Sequence, residues 1–134
     1  MMLHDFDGLL AAALAQPEPQ RLLFVFVRSG LPDAPTEDQH ARHRNGEGGT
    51  LQPVLCVDKA PAELASFAML QAQSMQTGLD WDLVFVAALD GRAGIAPSAD
   101  EAAQPLQLMV NAVNDGNVAR FAAFDRHGDA VQFY

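Results

Sequence analysis

The chain has 134 residues, 17 of them acidic and 8 basic, giving a formal net charge of −9, and 49% are hydrophobic. A single cysteine excludes a disulfide scaffold and a thiolate zinc site, and the negative balance excludes the phosphate-neutralising surface of a nucleic-acid binder. The length suits one globular domain over residues 1–134, and no apolar run approaches the ~20 residues that span a bilayer, so neither nucleic acid nor membrane is expected as a partner.

The N-terminal stretch imitates a signal peptide, with Leu9 to Ala15 apolar and Ala13-Leu14-Ala15 as a small-x-small site. Asp5 and Asp7 stand where such a leader carries positive charge. An amphipathic helix over 5–15 is expected instead, capped by Asp5, with Phe6, Leu9, Leu10, Ala13 and Leu14 on its apolar side. Pro17 and Pro19 stop it, and the location implied is cytoplasmic.

Three apolar runs follow: Leu22 to Val27 (LLFVFV), Pro53 to Val57 (PVLCV) and Leu83 to Leu89 (LVFVAAL). They lack polar alternation, as strands covered on both faces do. A helix over 60–77 is expected between the second and third, with Leu64, Phe67, Ala68 and Met75 buried and Gly78 as its stop. A strand–helix–strand unit of this kind leaves its two strands parallel. Ser98 and Glu101 form a capping-box pattern, but Pro105 follows soon after. A short turn and a main helix over 105–115, ended by Gly116, are expected. The tail has the pattern of a hairpin: Val118 to Phe124, a turn through Asp125-Arg126-His127-Gly128, and Ala130 to Tyr134. Its last run, Val131 to Tyr134, is expected at a sheet edge. Residues 28–50 carry no apolar stripe and end in Asn45-Gly46-Glu47-Gly48-Gly49, so a long, flexible, solvated connection is expected there. The direction of the first strand against the second stays open.

Polar residues gather where strands end. Asp58 and Lys59 follow the second strand, and Asp90 and Arg92 the third, so parallel strands would bring all four to one edge of the sheet. Ligands of open α/β sheets bind at such edges. Lys59 is the only lysine, and a cation there suits an anionic group. Arg28, at the exit of the first strand, joins this candidate set. His40 and His43, with Glu37 before them, have the spacing of one helical face, but Arg42 and Arg44 would repel a cation, so no metal is implied. Cys56 lies within an apolar strand and is expected to be a buried structural thiol. The glycines at 46–49 lead into a strand and match no phosphate-binding loop. No serine or threonine sits in a nucleophile elbow.

Four strings run through nearly the whole chain: RLLFVFV at Arg21 to Val27, GxGGxLxPVxCVDKxPxEL from Gly46 to Leu64, WDLVFVAALDGRAG from Trp81 to Gly94, and FDRHGDAV from Phe124 to Val131. Together they resemble a small bacterial family whose members often bear the label ribonucleotide reductase alpha subunit. That label implies a radical cysteine plus a reducing cysteine pair within a large barrel. Cys56 alone, in a chain this short, cannot supply them, and reductase activity is rejected. The order of N-terminal helix, strand, loop, strand and helix is also similar to the domain of the enhanced-serine-sensitivity protein. The thioredoxin-like fold shares this order, but its Cys-x-x-Cys motif is missing here.

The fold expected is therefore α/β (α+β): one domain with a mixed sheet of about five strands, packed helices and a C-terminal hairpin. The function expected is a small cytoplasmic binding or regulatory module with no catalytic set and no cofactor. Its partner would be a second copy joined through a sheet edge, or another protein. The alternative is a small enzyme or anionic-metabolite binder, in which Lys59 and Arg92 hold the anion and Asp58 or Asp90 acts as acid/base or positions the substrate.

Overall fold

LLFVFV forms an interior strand of the sheet. A computed structural model describes residues 5–30, 50–64 and 66–131, with strands β1 (Gln20–Gly30), β2 (Thr50–Lys59), β3 (Leu83–Asp90), β4 (Ala122–Asp125) and β5 (Ala130–Val131). Their order across the sheet is β2-β1-β3-β4-β5, and every neighbouring pair is antiparallel. The apolar runs signal cover on both faces, not strand direction. β2 and β3 do run the same way, as a strand–helix–strand unit requires, but β1 lies between them.

The pleat of β1 divides the core. Leu22, Phe24 and Phe26 face one side, where they meet Val84 and Val86 of β3 and helices α1 (Phe6–Leu14) and α2 (Phe67–Met75). Leu23, Val25 and Val27 face the other, with Phe85 and helix α3 (Ala99–Asn114). All six β1 side chains from Leu22 to Val27 are buried, which explains the missing alternation. The result is a five-stranded sheet between helices, of the α/β class, its neighbouring strands antiparallel throughout in place of the expected mixed sheet.

Asp5 caps α1 as its chemistry predicts, its Oδ1 accepting from the Gly8 N–H at 2.8 Å. Phe6 and Leu10 are buried, while Leu14, expected on the apolar side, is 60% exposed near the helix end. Phe6 touches three other rings, with centroids 6.0 Å from Phe24, 5.5 Å from Phe67 and 5.6 Å from Phe124. Its N–H donates to the Gly128 carbonyl at 2.9 Å. Asp7 Oδ1 accepts from the Phe67 N–H at 3.1 Å, giving the first turn of α2 a cap from another helix.

The expected helix over 60–77 is broken in two. A 3₁₀ turn spans Pro61–Glu63, Leu64 is extended (φ −118°, ψ 125°), and Ser66 restarts the chain as N-cap of α2. Leu64 still reaches the core. The shorter α2 buries Phe67, Leu70 and Ser74, whereas Ala68 and Met75 are exposed. The buried Ser74 Oγ accepts from Trp81 Nε1 at 2.9 Å, which satisfies the indole inside an apolar layer.

The expected start of the last helix at Pro105 is also corrected. One helix, α3, runs unbroken from its capping box at Ser98 and Glu101 through Pro105 to Asn114. The two box hydrogen bonds are each 3.1 Å long. Anchored there, and burying Ala102, Met109 and Val113 on the sheet, the helix tolerates the missing N–H at Pro105. The hairpin turns where expected, with Asp125 Oδ1 accepting from the N–H groups of His127 (2.8 Å) and Asp129 (3.1 Å). β4 begins only at Ala122, because Val118 to Phe121 forms a turn. The described part of the 28–50 connection is strand at both ends; the expected flexible loop between them lies outside the described residues, as do Gln132 to Tyr134.

Phe6→Ala is expected to lower the unfolding free energy by about 3–5 kcal/mol in urea melts, because it empties a site ringed by aromatics. Leu14→Ala on the same helix should change it by less than about 0.5 kcal/mol. Pro105→Ala should raise it by about 1–2 kcal/mol by restoring a helix hydrogen bond; an unchanged or lowered midpoint would contradict this account of α3.

Candidate functional site

Antiparallel pairing on both sides of β1 carries the ends of β2 and β3 to the same end of the sheet, beside the start of β1. Leu22 stands opposite Lys59, Leu23 opposite Asp58, and Gln20 opposite Asp90. Asp58, Lys59 and Asp90 therefore do gather at one end, and Arg92 follows within the next turn. Directly paired residues share a face, so the pleat sorts the cluster. Lys59 and Asp90 lie on the side of Leu22, under α1 and α2. Asp58 lies on the side of Leu23, toward α3. Even on their shared face, the Cα atoms of Lys59 and Asp90 are about 12 Å apart, two strands across and two residues along.

The acids at this end are already engaged. Asp58 is ion-paired to Arg21, whose Nε and terminal nitrogen both reach Oδ2. The pair is a diagonal contact across β1 and β2, and both side chains are mostly buried, at 17% and 24% exposed. Asp90 Oδ1 accepts from Gln20 Nε2 at 2.8 Å, and the same nitrogen donates to the Glu18 carbonyl at 3.0 Å. Gln20 is buried, so these bonds satisfy an amide that would be costly to leave unpaired. Glu18 Oε2 in turn accepts from the Gly94 N–H at 2.8 Å. Arg21, Gln20 and Glu18 are absent from the sequence-derived set. Their signal was positional: polar residues just ahead of a central strand, legible once the strand directions are known.

The turn after β3 is tightly built. Arg92 and Ile95 exchange two backbone hydrogen bonds of 2.9 Å. Ala93 (φ 53°) and Gly94 (φ 80°) between them adopt the left-handed conformations of a two-residue hairpin turn. Gly91 precedes it, its N–H donating to the Pro19 carbonyl at 2.8 Å. A Cβ at Gly91 would collide with the Ile95 carbonyl oxygen and lie 2.7 Å from that of Pro19. The glycine thus lets two carbonyls close over the strand end. Arg92 is exposed beside this turn, and Lys59 is half-buried.

Arg28 does not join the other four. It lies eight residues along β1 from Gln20, about 25 Å away at the opposite end of the sheet. There its Nε donates to the Asp80 carbonyl at 2.9 Å, and the Asp80 carboxylate faces Arg126 at 3.4 Å.

Cys56 is exposed rather than buried. β2 is the outermost strand of the sheet, so its side chains lack a neighbouring strand on one flank. The edge carries its own protection. Pro53 removes a backbone donor, and Val54 is an extra residue between the pairs Phe26–Leu55 and Val27–Pro53, a β-bulge. Among the described residues no group of three His, Cys, Asp or Glu side chains could hold a metal ion. His40, His43 and Glu37 lie outside them, and His127 is exposed on the hairpin turn. Among the described residues no helix is long and apolar enough to cross a membrane. No family model, curated protein or solved structure matches the chain.

Gly91→Ala is expected to destabilise the protein by about 2–3 kcal/mol, since backbone rather than a flexible side chain must give way. Gly78→Ala supplies the contrast. It sits in the left-handed region (φ 76°), which Gly91 does not, but a Cβ there meets nothing within 4 Å, so its thermal midpoint should fall by less.

Proposed function

We propose that the chain is a small cytoplasmic binding or regulatory module rather than a catalyst. The observation that carries this is the engagement of the strand-end acids: Asp58 holds Arg21 and Asp90 holds Gln20. A general acid or base must face the reacting group, and these carboxylates face the scaffold instead. The resemblance to a small bacterial family is compatible with such a role; reductase chemistry, with Cys56 as the lone thiol, is not.

For the partner, we propose a second copy of the chain, joined at the β5 edge of the sheet. Pro53 and the bulge at Val54 blunt the β2 edge. β5 pairs with β4 through Ala130 and Val131; on its other side Asp5 bridges Asp129 at its start, and beyond that contact no strand lies beside it among the described residues. Two such edges related by a two-fold axis form one continuous sheet. Size-exclusion chromatography with light scattering should give a dimer for the native chain. A native chain that stays monomeric at high concentration would overturn the dimer.

The alternative, an anion-binding site or small enzyme at the strand ends, is favoured by one observation: the turns after β2 and β3 open at the same end of the sheet. Lys59 and Arg92 would hold the anion. A panel of anionic metabolites should then raise the thermal midpoint of the native chain, with the shift lost in Lys59→Ala and Arg92→Ala. Shifts that persist in both variants, or never occur, would end that alternative.

A further inference from the structure

We draw no further inference here: the strongest candidate, the exposed apolar pair Met75 and Leu79 at the end of α2, lining the depression over Trp81 and Arg126, carries nothing because nothing in the structure shows what covers it.

Discussion

The packing of Phe6 is the contact on which the other layers converge. It lies on α1, yet its ring meets Phe24 from the central strand, Phe67 from α2 and Phe124 from β4. The backbone reinforces the same junction. The Phe6 N–H holds the Gly128 carbonyl of the hairpin turn, and Asp7 caps Phe67. Gly128 allows the close approach, since a Cβ there would lie 2.9 Å from the Phe67 ring. Aromatic edges against faces add directionality to the area they bury. One residue near the start of the described chain thus fixes the placement of elements scattered from residue 24 to residue 128.

The same economy governs the polar groups. A buried carboxylate or amide is costly to leave unpaired, and at this end of the sheet Asp58, Asp90 and Gln20 find partners within the scaffold, whereas the buried Gln73 Oε1 on α2 has none. Arg21 and Asp58 join β1 to β2 on the α3 side, while Gln20 and Asp90 join β1 to β3 on the opposite side. The two pairs clamp the start of the central strand from both faces of the sheet. A cluster that looks chemically promising along the sequence becomes two separate ties once the pleat is imposed. Composition at a strand end therefore says little about convergence; register decides it.

Much of the fold is legible in the sequence, for local reasons. Asp5, Ser98 with Glu101, Gly116 and the Asp125–Gly128 turn each announce an element boundary through their own hydrogen bonds or backbone freedom. The two helix errors arise where local rules are overridden. Ser66 is a competent cap hidden inside an apolar pattern, and it divides a helix that periodicity would run through. Pro105 is a breaker that its capping box and buried Ala102 outweigh. The exposed Cys56 shows a further limit, because an apolar run does not reveal whether its strand is central or outermost. Strand order likewise depends on long-range pairing, so Arg21 and Gln20 could be recognised only with the strands in place. Arg28 and Asp80, fifty-two positions apart, meet for the same reason.

The position of β1 also bears on how the chain must assemble. This strand comes early in the chain but occupies the interior of the sheet, so one of its long edges waits for β3, some sixty residues later. Closing such a span carries loop entropy before any contact compensates it, which slows folding. During synthesis the LLFVFV segment is made well before its second neighbour leaves the ribosome, and unpaired apolar strands are the segments most prone to misassociate. The molecule is therefore most vulnerable between the emergence of residue 27 and that of residue 90. A chain truncated within that interval would retain its most adhesive strand without the cover that tames it.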